Sequence, residues 1–150
     1  MESEKFVLRG LKMSLATKTH FPLAEILSGY GDRVLFLGGG KEVHRYTDVS
    51  LLAATGEFRA ASRRLVLCFC ENTSDSLTGY LAFLCCGAVP LVVGAGITEV
   101  QLQKLIGAYA PDFFWLPTSR KGEIPNSRTV YSNESFCLME SESKLPYGTH

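Results

Sequence analysis

Two glycine clusters carry the residue types that could cradle a phosphate. Gly38-Gly-Gly-Lys41 ends in a lysine, as a nucleotide-binding loop does. Such a loop needs Gly-x-x-x-x-Gly-Lys-Ser/Thr opening a helix whose amides hold the phosphates. Here Leu35 stands where the first glycine belongs, and Glu42 replaces the hydroxyl residue with an acid that repels phosphate. A hairpin turn is the plainer use of these glycines. Gly94-Ala-Gly-Ile-Thr-Glu99 leaves an apolar run and enters a helical one, so it holds two glycines of the dinucleotide fingerprint. Glu99 sits at the third position, where glycine allows close packing of helix on strand. Asp112 follows, but ahead of its strand, whereas a ribose-binding acid belongs at a strand's end. A structural loop with a helix cap accounts for this segment.

The remaining reactive side chains form no constellation. Cys68 and Cys70 share one face of a strand pattern, without further ligands at metal spacing. His20, His44 and His150 lie in separate segments with no acid or base nearby in sequence, and Gly-x-Ser-x-Gly is absent. Accordingly, no catalytic residue is assigned, no metal ligand set is expected, and no position is given to a cofactor. Ligands in open parallel sheets bind at the carboxyl ends of the strands. Three segments are expected there: Glu71-Asn72-Thr73, Gly94-Ala-Gly96 and Thr118-Ser-Arg-Lys121. Thr118, Ser119, Arg120 and Lys121 could hold an anion, although a solvated loop after a strand serves as well.

These segments must be positioned by a regular scaffold. Leu65–Cys70 is an apolar run with little alternation, as a strand buried on both faces requires. A helix is predicted from about Ser74, with Leu77, Tyr80, Leu81, Leu84 and Cys85 on its inner stripe and Gly87 as its left-handed stop. Ala88–Val93 is the next strand, bulged or near an edge because Pro90 has no amide to donate. Thr98 and Gln101 form a capping box for a helix that turns Leu102, Leu105 and Ile106 inward. Asp112–Leu116 is a third strand, and the spacing suits two right-handed βαβ crossovers. Upstream, Thr19 is expected to cap a helix carrying Leu23, Ile26, Leu27 and Tyr30. Val34–Leu37 and Val43–Tyr46 form a hairpin, and Thr47 begins a helix with Val49, Leu52, Ala53 and Ala60 on one face. The predicted fold class is α/β: a three-layer, mostly parallel sheet with helices on both faces, built from βαβ units, with an N-terminal hairpin. Residues 1–116 form this unit. Residues 117–150 are read as a polar extension leading elsewhere, with short strands at Arg128–Tyr131 and Ser135–Met139.

Composition narrows the classes of function. Fifteen basic and fifteen acidic residues cancel, leaving no electrostatic footprint for nucleic acid. No run approaches the roughly 20 apolar residues of a membrane span. The first twenty residues lack the apolar core of a secretion signal. An odd count of five cysteines, most in apolar runs, fits reduced thiols and a cytoplasmic location.

Several linked pieces between about residues 20 and 118 resemble the N-terminal part of the adenylate-forming enzymes, the acyl-CoA synthetase superfamily. Arg45-Tyr-Thr-Asp-Val49 is similar to that family's Thr/Ser-Tyr-x-Glu-Leu motif, with Arg45 and Asp48 as departures. Glu71-Asn-Thr-Ser74 looks like its Asn-Ser loop. Leu81–Val93 resembles its Leu-x-x-Gly-Ala-x-x-x-Pro segment, and Pro111-Asp-Phe-Phe-Trp115 its Pro-x-x-hydrophobic ending. The resemblance implies a parent ligase that uses ATP and magnesium to convert a carboxylate to an acyl-adenylate, with transfer to coenzyme A or another thiol. The family's phosphate loop and catalytic lysine would follow His150, so this chain is expected to be a truncated, inactive scaffold. Such a piece is expected to self-associate through the face meant for the remainder. The alternative is a complete small doubly wound domain that binds a nucleotide or a protein without catalysis.

Overall fold

The computed structural model describes residues 22–37 and 43–142. Its centre is β3 (Leu65–Cys70), whose Val66–Phe69 stretch is buried on both faces. β4 (Val89–Gly94) pairs parallel to it on one side and β5 (Phe113–Pro117) on the other. The crossovers are α4 (Ser74–Cys85), from β3 to β4, and α5 (Glu99–Tyr109), from β4 back across β3 to β5. Right-handed connections running in opposite directions place these helices on opposite faces, which makes three layers.

The sheet continues past Pro117. After a 3-10 helix at Thr118–Glu123 come β6 (Ser127–Ser132) and β7 (Phe136–Ser141). β7 pairs antiparallel along the whole of β5, and β6 lies outside it, giving the order β4-β3-β5-β7-β6. Only β7 runs against the others, so the sheet is mostly parallel. The two strands expected in the polar segment are therefore present, and they carry the sheet across the 116/117 boundary. Phe136, Cys137, Leu138 and Met139 supply the reason: this apolar run is buried on both faces beside β5.

Ahead of the sheet lie α1 (Pro22–Ser28), the antiparallel pair β1 (Val34–Leu37) and β2 (Val43–Arg45), then α2 (Tyr46–Ala53) and α3 (Gly56–Arg59). Thr19 and the turn Gly38–Glu42 lie outside the described residues. α2 begins at Tyr46, one residue before the expected Thr47, and the Asp48 carboxylate accepts the Arg45 amide at 2.7 Å. The single helix expected through Ala60 is two, because Thr55 leaves the helical conformation and caps α3, its Oγ1 accepting from the Phe58 amide. This break turns Phe58 into the core, stacked on Phe83 with 4.5 Å between ring centroids.

β4 is an edge strand. The Val89 amide donates to Arg64 and the Ala95 amide to Cys70, so odd-numbered amides face β3. Pro90 nitrogen therefore faces outward, where no ladder bond is lost. α4 ends in a Schellman motif: Gly87 has φ +75°, its amide donates to Leu84, and the Ala88 amide reaches Phe83 at 2.9 Å. The Thr98–Gln101 capping box closes at 3.0 and 3.2 Å, and Leu102 is fully buried below it.

The inner stripe of α4 differs from the leucine-rich one expected. Ser76, Gly79, Ala82, Phe83 and Cys85 are buried, while Leu77 is 41% exposed. Gly79 sets this rotation, since a Cβ there would collide with Nε1 and Cε2 of the Trp115 indole. A helix that approaches so closely must present its small residues to the sheet. Gly79→Ala therefore sets a gain in helix propensity of about 1 kcal/mol against overpacking of a ring held in the core. The expected net loss is about 2 kcal/mol in urea unfolding, and a loss near zero would contradict this packing.

Candidate functional site

The carboxyl ends of β3, β4 and β5 bring together the three segments expected at one edge. Each is shaped by its own local chemistry. After β3, Ser76 Oγ donates to the Phe69 carbonyl at 2.9 Å and accepts the Glu71 amide at 3.0 Å, folding Glu71–Thr73 back onto α4. Thr73 Oγ1 caps α4 by accepting from the Ser76 amide at 3.3 Å. After β4, the Ala95 amide donates to Cys70 and the Ile97 amide to Gly94. After β5, the 3-10 helix winds with three residues per turn, so Arg120 and Glu123 stand one above the other.

Arg120 ties its own segment to the loop after β4 and packs over β3. Nε and Nη2 donate to the Glu123 carboxylate, both at 2.7 Å. Nη1 reaches the Ala95 carbonyl at 3.0 Å and Nη2 the Ile97 carbonyl at 2.9 Å. The guanidinium carbon stands 4.8 Å from the centre of the Phe69 ring. The hydrogen bond to Glu123 raises the Arg120 pKa, and Glu71 and Glu99 add to that pull. The same bond lowers the Glu123 pKa from its ordinary value. Its stabilising effect is thus present above the usual carboxylate range and is lost as acid protonates Glu123.

At this edge most of the polar groups are bonded within the protein. Of the proposed anion holders, Arg120 is committed to Glu123 and two carbonyls, Ser119 and Lys121 are exposed, and Thr118 Oγ1 is buried with no hydrogen-bond partner among the described residues. The Gly94–Gly96 loop turns carbonyls toward a cation and uses its Ala95 and Ile97 amides internally, the reverse of a phosphate cradle. Asp112 lies at the opposite end of the strands, buried and paired with Arg64 at 3.3 Å, away from any ribose at this edge. Nothing in sequence spacing singled out Arg120 with Glu123. The i,i+3 spacing becomes informative only once a 3-10 turn is known.

Beside the edge, Val93, Gly94, Gly96, Ile97, Gln101 and Lys104 border an open groove of about 630 Å3 along α5, its walls mostly apolar. His44 sits on β2, distant in sequence from the other candidates, and His20, His150 and Lys41 lie outside the described residues. No group of three or more His, Cys, Asp or Glu suited to a metal occurs among the described residues. All five cysteines are free.

No known family profile matches this sequence, and no curated protein matches it. Among solved structures, it is similar to the luciferase-like enzyme from the nonluminescent mealworm Zophobas morio, at 17% identity and a TM-score of 0.49. The likeness covers 61% of this chain and 24% of that one. Among the described residues, no helix is long and apolar enough to cross a membrane.

The thiols give a direct check on this architecture. Cys70, at the end of β3, is exposed, whereas Cys68, Cys85, Cys86 and Cys137 are buried. Burial pushes the Cys68 thiol up to about 12 and Cys85 to about 11. At pH 8 a thiol of pKa 12 holds about one thiolate in ten thousand. Iodoacetamide on the native protein should therefore modify Cys70 first, mapped by peptide mass. Early labelling of Cys68 would contradict the packing of β3.

Proposed function

We propose that this chain is the N-terminal scaffold of an AMP-forming ligase that activates a carboxylate as its acyl-adenylate. One observation carries the reading: the four segments that resemble the family fall, in chain order, at four strand–helix junctions of the fold. Arg45–Asp48 joins β2 to α2, and Glu71–Ser74 joins β3 to α4. Gly87-Ala88 makes the turn from α4 into β4, with Pro90 on the outer edge. Pro111-Asp112 joins α5 to β5.

In this reading the chain's task is support. The edge at Arg120 satisfies its own charges and carbonyls, and the apolar core holds the strands in register. ATP, magnesium and a thiol acceptor such as coenzyme A would be held by residues beyond those matched here, so no step is assigned to a side chain of this sequence. Five free thiols support a reducing, cytoplasmic setting. The alternative, a small doubly wound binding domain, is favoured by one feature only: buried residues on both faces of β3, β5 and β7.

The source transcript read past His150 tests the proposal, which expects a Ser/Thr/Gly-rich loop ending in lysine within a few tens of codons. An immediate stop codon would leave the binding domain as the better account. The purified 150-residue chain should release no pyrophosphate from ATP above background with any carboxylate. Release above background would overturn the assignment of a supporting role.

A further inference from the structure

We propose that Arg120 is the latch of the β4–α5 loop, so that its pairing with Glu123 decides whether one wall of the groove beside α5 is fixed or open. The loop has two sides. Toward the sheet it offers the Ala95 and Ile97 carbonyls, and both accept from Arg120 at 3.0 and 2.9 Å. Toward solvent Gly94, Gly96 and Ile97 form the groove wall, opposite Gln101 and Lys104. Ile97 packs against the core at one end of this stretch, but at Gly94 and Gly96 no side chain holds it, since a Cβ at either would meet nothing within 4 Å.

Glu123 gives the latch its direction. By taking Nε and one Nη2 hydrogen at 2.7 Å, it turns the remaining face of the guanidinium toward the two carbonyls. Phe69, at the end of β3, keeps the plane seated at 4.8 Å. Arginine's rigid fork suits this double task, whereas a lysine ammonium cannot hold a carboxylate side-on and reach two carbonyls together. The 3-10 helix that carries the latch is fastened separately, since Gln103 Nε2 donates to the Glu123 carbonyl at 2.7 Å. Loss of Arg120 should therefore free the loop while leaving the turn docked on α5.

The readout is local. The Ala95 and Ile97 amides are both hydrogen-bonded in the closed loop, so their exchange with deuterium reports its opening. In R120A these two amides should exchange about tenfold faster or more, with the amides of β5 and β7 unchanged. R120K should behave as R120A does, and E123Q should show a smaller acceleration in the same two amides. Unchanged exchange of Ala95 and Ile97 in a folded R120A would overturn the proposal. If R120A loses protection throughout the sheet, R120K and E123Q decide the matter, and unchanged exchange in both would overturn it equally.

Discussion

The contact of the Trp115 indole with the backbone of Gly79 sets the depth at which α4 sits on the sheet. Around it stand Phe58, Phe83, Tyr131 and Phe136, with ring centroids 5.2 to 6.2 Å from Trp115. These rings come from α3, α4, β6 and β7, so one side chain of β5 ties the helical layer to both strands of the polar segment. The indole Nε1 is buried with no hydrogen-bond partner among the described residues. Shape and area, rather than a polar bond, account for tryptophan at this position.

From that contact the rest of the scaffold follows. A close α4 places Ser76 where it bonds the end of β3, and this folds Glu71–Thr73 away from the strand ends. The space left above β3 and β4 is spanned by Arg120, and Glu123 balances it. An edge that in other doubly wound sheets receives an anionic ligand is here filled by the protein's own ion pair and carbonyls. The chemistry of the edge is that of a brace.

Much of this was legible in the residues. Apolar runs near 65, 88 and 112 gave the parallel strands, Thr98 with Gln101 gave a helix start, and Gly87 a helix stop, because each is a local property of a few neighbours. Pro90 pointed to a bulge or an edge, and the strand is an unbulged edge. The rotation of α4 was not legible, since Leu77 and Leu84 outrank Gly79 in any count of apolar residues, and only Trp115, distant in sequence, makes the glycine side the inner one. The break at Thr55 was hidden by a pattern that continues to Ala60. Strand order was hidden too: β7 inserts beside β5 through antiparallel pairing that no spacing announces. At the edge, Thr118–Lys121 was marked for its charge, but its partner Glu123 and the carbonyls of Ala95 and Ile97 turn that charge inward.

If Arg120 and Glu123 serve the fold as a brace, this edge takes up no nucleotide phosphate. The most direct test is a titration of the labelled chain with magnesium-ATP, following the backbone amides of 71–73, 94–98 and 118–123 by NMR. A brace should give no saturable shift in any of the three segments at millimolar nucleotide. Saturable shifts shared by all three would contradict it and would make the edge a nucleotide site.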